Sequence, residues 1–217
     1  MAPDIALRDL VRLALRQAGD GRRIIVALAG PPGAGKSTVA DHLARSLNTA
    51  SPGIAALFPM DGYHFDDAIL NARGHRPRKG APHTFDLGGY SAMLDRLRAD
   101  DAADIAVPVF DRTLEIARAG ADIVPGSARI VVTEGNYLLL DAEGWRDLRS
   151  RFDIAVFVTA PLDIITERLH QRWLGFDYDD AALVSKMEGN DLPNVRLVLG
   201  SSMEADFTHR TDGAELV

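Results

Sequence analysis

Gly30-Pro31-Pro32-Gly33-Ala34-Gly35-Lys36-Ser37, followed by Thr38, is the stretch on which the reading of this chain turns. Its spacing fits G-x-x-x-x-G-K-[ST], a glycine-rich loop whose main-chain N–H groups cradle phosphates. Glycines let the backbone turn and approach anionic oxygens with no Cβ in the way. Before it, Ile24-Ile25-Val26-Ala27-Leu28-Ala29 is an apolar run suited to a buried parallel strand. After it, Val39, Leu43 and Leu47 recur every fourth residue, the stripe of a helix packed on one face. Strand, loop and helix together predict a nucleotide phosphate site, to which the helix adds the positive end of its dipole. The expected contacts come from Gly30 to Thr38, with Lys36 reaching the β- and γ-phosphates and the Ser37 hydroxyl ligating Mg²⁺. ATP and Mg²⁺ are the expected cofactors.

The rest of the composition fits a large α/β domain. The chain has 217 residues, 47% hydrophobic and 25% charged, enough for a substantial core. A net charge of -7 argues against a general nucleic-acid binder, which would present a basic surface. With no cysteine, disulfides and thiolate metal sites are excluded and a reducing compartment is permitted. Asp4, Arg8, Asp9, Arg12 and Arg16 interrupt the N-terminal apolar pattern, which therefore reads as neither a signal peptide nor a membrane span. The six histidines show no paired metal-ligand spacing. The expectation is a cytoplasmic protein acting on a small molecule, without membrane or nucleic-acid partners and with a homodimer left open.

Along the chain, Asp4 to Ala18 reads as an amphipathic helix stopped by Gly19. Ile54 to Met60 is a second apolar run that delivers Asp61-Gly62-Tyr63-His64 at its end, where ligands sit in open α/β sheets. Asn71 to Asp86 is a polar excursion with Arg73, His75, Arg76, Arg78 and Lys79. Tyr90, Met93, Leu94 and Leu97 mark a helix, Ile105 to Phe110 a strand ending at Asp111-Arg112, and Arg129 to Thr133 a strand ending at Glu134. Ile154 to Thr159 is the last strand expected, followed by a helix that places Arg168 and Arg172 on one face. The tail after Asp206 carries no pattern. Alternating strands and helices imply a mainly parallel sheet covered on both faces. The fold expected is a P-loop NTPase three-layer α/β/α sandwich, one domain over residues 1–217, with a substrate-binding excursion over about 62–90 and a small lid over about 168–190.

Several side chains have chemistry to offer. Asp61, at the end of the strand after the P-loop helix, can take the proton from an attacking hydroxyl, or simply start the turn at Gly62. Glu134 resembles a Walker B carboxylate, which helps hold Mg²⁺, although Asp is the usual residue there. Arg168 and Arg172 can fold over phosphates as a lid or form a solvated helix face beside Glu167. The Arg73 to Lys79 cluster can contact an anionic substrate or be a soluble loop. His64 lies beside Asp61 and within reach of a substrate.

Together these residues resemble the phosphoribulokinase/uridine kinase family of P-loop small-molecule kinases, which includes a bacterial type of pantothenate kinase. The similarity runs from about Arg22 to Arg172. Phe58-Pro59-Met60-Asp61-Gly62-Tyr63-His64 resembles the family segment whose Asp is the catalytic base. Arg78-Lys79-Gly80-Ala81-Pro82-His83-Thr84-Phe85-Asp86 is similar to pantothenate kinase in its Lys-Gly-x-Pro core and to uridine kinase in its substrate-holding Phe85-Asp86. Val107-Pro108-Val109-Phe110-Asp111, which leads to Arg112, resembles the uridine kinase Pro-Val-Tyr-Asp strand. Glu134-Gly135-Asn136-Tyr137-Leu138-Leu139-Leu140 completes a combination similar to a bacterial subgroup described as nucleoside/nucleotide kinase or fructokinase-like. Glu115 stands where uridine kinases place a base-recognising His, and Trp173-Leu174-Gly175-Phe176 lacks their Arg-Gly lid pattern.

The resemblance implies an ATP:alcohol phosphotransferase. Asp61, Lys36, Arg168 and Arg172 would be its catalytic groups, and Ser37 and Glu134 its metal-binding pair. His64, Arg78, Lys79, Phe85, Asp86, Arg112 and Tyr137 would join Asp61 and Glu134 in holding the acceptor. A sugar or sugar-like polyol is the expected acceptor, with a nucleoside or pantothenate as the alternative. A nucleotide-dependent switch or transport-coupled module is the rival from another class. Ras-type guanine recognition needs Asn-Lys-x-Asp, and none of Asn48, Asn71, Asn136, Asn190 and Asn194 is followed by Lys. Leu87-Gly88-Gly89 does not supply a transporter-ATPase signature.

Overall fold

The computed structural model describes residues 2–19, 21–174 and 179–212. Before the first helix the backbone is already committed to a sheet edge. The Ile5 N–H donates to the Thr208 carbonyl at 2.8 Å, and the Thr208 N–H to the Pro3 carbonyl at 2.9 Å. Helix α1 therefore spans Leu7–Ala18 rather than starting at Asp4, and buries Leu10 and Ala14 one turn apart. Strand β1 (Ile24–Ala29) is buried at every position and runs into the glycine loop, from which α2 (Lys36–Ala50) departs. Strand β2 is short (Ala55–Leu57), because the second apolar run breaks at Pro59 into a 3₁₀ turn, Met60–Tyr63. Helix α3 (Asp67–Ala72) and two further 3₁₀ turns, Arg76–Arg78 and Pro82–Thr84, fill the polar excursion ahead of α4 (Leu87–Ala99).

Next come β3 (Ile105–Asp111), β4 (Ile116–Val124), β5 (Ile130–Gly135) and β6 (Ile154–Thr159). Helices α5 (Leu162–Leu174), α6 (Asp180–Lys186) and α7 (Leu192–Ser201) follow, with a π-helical turn, Met187–Asp191, joining the last two. Strand β7 (Phe207–Arg210) ends the described fold. Residues 175–178, inside the expected lid, lie outside the described residues.

The main sheet has the order β2-β5-β1-β6-β7, and every pairing in it is parallel. Alternate residues of β1 serve different layers. Ile24, Val26 and Leu28 pack with Leu10 of α1 and Val39, Leu43 and Leu47 of α2. Ile25, Ala27 and Ala29 pack with Leu94 and Leu97 of α4 on the other face. This is the helix–sheet–helix arrangement of a P-loop α/β fold. A smaller cluster joins Ile165 and Leu169 of α5 to Leu183, Met187, Leu192 and Val195 of the α6–α7 segment.

Two strand expectations need correction. The strand at Ile105 does not enter the parallel sheet. It pairs antiparallel with β4 as a separate ribbon, with an irregularity between Val107 and Val109 at Pro108, which has no N–H to donate. Its partner β4 was not legible because most of it, Arg118 to Ile123, is exposed and carries no apolar alternation. The tail after Asp206 also contains structure, since Phe207–Arg210 pairs with Val156–Thr159 as a polar, half-buried edge strand.

Candidate active site

The loop after β1 is held by close backbone approaches. At Gly30 a Cβ would fall 2.0 Å from the Val158 carbonyl oxygen, and Gly33, at φ +82°, would place one 2.9 Å from the Ile165 carbonyl oxygen. Neither position has room for a side chain, so the loop rests directly on β6 and α5. Gly35 (φ 87°) then turns the chain into α2 with no side chain capping the helix. The first-turn N–H groups of α2 are thus available to an anion. Pro32, Gly33, Gly35, Lys36, Ser37 and Thr38 form one wall of a cavity of about 330 Å³. Gly30, Pro31 and Ala34 lie beneath that wall, Ala34 in the core.

Lys36 is 6% exposed, and its ammonium donates to the Pro31 carbonyl at 2.9 Å and to Asn136 Oδ1 at 2.7 Å. Burial lowers its pKa to about 8, opposed by the Glu134 and Asp61 carboxylates. Two of its three N–H bonds are engaged, which leaves the third for a ligand. Ser37 Oγ donates to Glu134 Oε1 at 2.9 Å, across the junction set by the pairing of Leu28 with Glu134. Burial and the neighbouring Asp61 carboxylate push the Glu134 pKa up.

Asp61 lies in the 3₁₀ turn after β2, pressed between β5 and β3. A Cβ on Gly135 would meet Met60 at 2.7 Å, and one on Gly62 would meet the Pro108 carbonyl oxygen at 2.4 Å. Asp61 Oδ2 accepts from Arg112 Nη2 at 2.7 Å. Burial works to raise the Asp61 pKa, but His64, Arg112 and Lys36 outweigh it, and the carboxyl stays below its ordinary value. His64 Nδ1 is 2.8 Å from the Asp61 carbonyl, so that nitrogen carries the proton. Burial lowers the His64 pKa, with Asp61 opposing. The His64 ring packs on Phe85 and Phe110, with centroids 4.0 and 4.7 Å away.

One cavity therefore gathers Lys36, Ser37, Asp61, His64, Lys79, Arg112, Glu134 and Arg172 from the expected set. The others stand outside its wall. Arg168 donates to Thr211 Oγ1 and to the Thr211 carbonyl, which ties α5 to the chain after β7. Arg78 donates to Asn194 Oδ1. Phe85 is buried behind His64, and the Tyr137 hydroxyl supports the loop by donating to the Gly80 carbonyl at 2.6 Å. Asp86 is exposed and caps α4, accepting from the Gly89 N–H at 2.9 Å. The expectation that Asp61 and Asp86 share one pocket is not met, because helix capping turns the Asp86 carboxylate away from it.

The structure adds groups that the sequence reading passed over. Asn136 follows Glu134-Gly135 at a strand end, so the argument used for Glu134 could have found it. Asn190 and Asn194, four residues apart across the π-helical turn, line the cavity with Asp191. Asn190 Nδ2 donates to the Lys79 carbonyl at 2.9 Å and clasps the polar loop to the π-helical turn. Arg76, Phe110, Glu115 and Lys186 complete the far wall. Among the described residues no helix is long and apolar enough to cross a membrane.

A phosphate loop with a buried lysine, a Ser–Glu pair at its mouth and a carboxylate opposite defines a P-loop phosphotransferase. Comparison with known proteins places it more closely. A crystal structure of a "putative fructose transport system kinase" from Silicibacter sp. TM1040 matches 94% of this chain and 98% of its own, at 40% identity and a TM-score of 0.85. The "Uncharacterized protein YggC" of Escherichia coli (strain K12) is 36% identical over 89% of this chain and 80% of its own. The "Putative uridine kinase C227.14" of Schizosaccharomyces pombe is 28% identical over 95% of this chain and 91% of its own. No family model matches. The chain belongs to the phosphoribulokinase/uridine kinase-like family of P-loop kinases, and it is an ATP-dependent phosphotransferase.

Proposed function

We propose that the enzyme transfers the γ-phosphoryl group of ATP to a hydroxyl of a sugar or sugar-like polyol. The observation that carries this is the Asp61 carboxylate, in the same cavity as Lys36 and the Ser37–Glu134 pair and held below its ordinary pKa, hence ionised and able to accept a proton. The hydroxyl oxygen of the acceptor forms the new bond to the γ-phosphorus. The bond from that phosphorus to the β,γ-bridging oxygen breaks, and its electron pair leaves with ADP. The hydroxyl proton passes to Asp61. Lys36 and Arg172 offset charge on the phosphoryl oxygens, and the loop N–H groups hold the remaining phosphates.

Ser37 and Glu134 would hold Mg²⁺. Their oxygen donors suit that ion, and two mutually repelling carboxylates, the buried Glu134 and the half-buried Asp61, would favour a divalent cation nearby. When bound it would supply positive charge to the transferring group.

Asp61, Glu115 and Asp191 give the acceptor wall carboxylates that suit hydroxyl donors. The name of the Silicibacter relative points the same way. One observation favours a nucleoside instead: the Phe110 ring lines the cavity and offers a flat face. ADP release measured with a panel of sugars and sugar derivatives, uridine, cytidine and pantothenate decides the matter. Stimulation by sugars or their derivatives is expected. Strong turnover with uridine or pantothenate, the sugar panel being inert, would sink the sugar reading and leave the kinase.

A further inference from the structure

Six Lys and Arg side chains line the cavity against four Asp and Glu. Three of these cations meet in one corner, from two segments. Arg76 comes from the 3₁₀ turn of the polar loop, Lys79 follows it, and Lys186 ends α6. Lys79 is 7% exposed and donates to Asp67 Oδ1 at 2.7 Å and to the Glu115 carbonyl, with one N–H left over. Arg76 spends its Nε on the same Asp67, at 2.6 Å, and its two terminal nitrogens make no hydrogen bond among the described residues. Lys186 lies 4.8 Å from the centre of the Trp173 ring, with no carboxylate at ion-pair distance among the described residues. Burial lowers its pKa, and the Arg76 and Lys79 charges add to that against Asp191 and Glu115.

The three nearby carboxylates equal these cations in number but leave several of their N–H donors unused. Asp67 is shared between Arg76 and Lys79. Asp191 accepts from Trp173 Nε1 at 2.5 Å and, more weakly, from Asn190 Nδ2 at 3.4 Å. Glu115 remains, and its oxygens suit a hydroxyl. Lys79 is buried and Lys186 half-buried beside the exposed Arg76, and three like charges with spare N–H donors in one corner suit an anion that completes them. The Phe110 ring joins this corner to the reacting end. Lys79 Nζ stands 5.4 Å and the Arg112 guanidinium 5.9 Å from its centroid, and Arg112 is the residue bonded to Asp61. A molecule lying along Phe110 can therefore touch both ends.

We infer that the acceptor is an anionic polyol, a sugar phosphate or sugar acid whose phosphate or carboxylate is held by Arg76, Lys79 and Lys186 while a distal hydroxyl faces Asp61. This rests on the polyol reading above and narrows it. The product then carries two anionic groups, the one recognised by the cationic corner and the new phosphate ester.

Matched acceptors test it: fructose against fructose 6-phosphate, and glucose against both glucose 6-phosphate and gluconate, each followed by ADP release at saturating ATP. The anionic member of at least one pair should give a kcat/KM at least about tenfold above its neutral partner, since a hydrogen bond to a charged group carries that much discrimination. The two arms separate phosphate from carboxylate as the recognised group. Lys186→Gln and Arg76→Gln should each raise KM for the preferred anionic acceptor by about ten- to a hundredfold, with KM for the neutral partner changing less than about threefold. A thermal melt and the KM for ATP show whether each variant has folded. Neutral members equal to or better than anionic ones, or variants that affect both members alike, overturn the anionic subsite and leave the sugar kinase standing. Turnover confined to nucleosides or pantothenate overturns both.

Discussion

Lys36 should make the protein less stable as well as active, and Lys36→Met separates the two effects. The ammonium is 6% exposed, and burial takes its pKa from 10.5 to about 8. At 1.36 kcal/mol per pH unit, that drop corresponds to about 3 kcal/mol of stability lost whenever Lys36 is charged. The sign follows from proton binding. Between pH 8 and 10.5 the unfolded chain binds this proton more tightly than the folded one, so the deficit is full below about pH 8 and fades as pH approaches 10.5. Methionine removes the charge and keeps most of the volume. It forfeits the hydrogen bond to the Pro31 carbonyl, about 1 kcal/mol, while Asn136 faces the cavity and can turn to water. The net gain is about 2 kcal/mol at pH 7, or about 4–8 °C in Tm for a domain of this size. Turnover should fall by at least about a hundredfold, because the charge opposite the transferring phosphates is gone. Calorimetric melts of both proteins at neutral pH and near pH 10 provide the check, alongside ADP release. A lower Tm for Lys36→Met at neutral pH, or a Tm difference that does not shrink as pH rises, would refute the reasoning.

Asp61→Asn should lose about a hundredfold or more in kcat with KM for ATP little changed, whereas Glu134→Gln should raise the Mg²⁺ concentration needed for half-maximal turnover and recover in part at high Mg²⁺. Steady-state titrations of acceptor, ATP and metal distinguish them, and the reverse pattern would mean that the two carboxylates exchange roles. Arg112→Gln removes a cation that helps hold Asp61 ionised against burial, so the acid limb of kcat/KM should move to higher pH. An unmoved limb would show that Asp61 titrates independently of Arg112. Asp86→Ala should cost about 1 kcal/mol through loss of the α4 cap, with KM for the acceptor unchanged. A large rise in that KM in a stable protein would return Asp86 to the acceptor site.

The nucleotide half of the site was legible because it is local. The binding groups expected there are consecutive backbone N–H donors and the side chains of Lys36 and Ser37, and that chemistry depends on spacing that a linear sequence displays. Flanking apolar runs add a second, equally local signal, and β1 and α2 appear where those runs place them. Legibility fails where a residue's role is decided by a contact that spacing alone does not display, whether a helix cap or a partner far along the chain. Asp86 reads as a pocket carboxylate by resemblance, yet its own backbone starts α4 and the Gly89 N–H claims it. Arg168 and Arg172 share a helix face, but Thr211, forty-three residues on, takes the first and leaves the second to the cavity. No pattern announces β4 or β7, because an exposed ribbon and a polar edge strand need no apolar alternation.

The same division has a consequence for how such an enzyme can change its acceptor. Every strand of the parallel sheet serves the core on at least one face, and the phosphate loop rests on β6 and α5 at contacts that admit no side chain. Substitution there is expensive. The proposed acceptor wall is built elsewhere, from the Arg76–Lys79 loop, the β3–β4 turn with Arg112 and Glu115, and the α6–α7 segment with Lys186 and Asp191. Most of these residues are exposed or half-buried, and their bonds run mainly to one another, as with Arg76 and Lys79 on Asp67 or Asn190 on the Lys79 carbonyl. Exchanging a cation for a neutral group in that wall alters which molecule fits while leaving the sheet untouched. On the reading proposed above, the phosphate loop specifies the reaction and the charge pattern of three connecting segments specifies its acceptor.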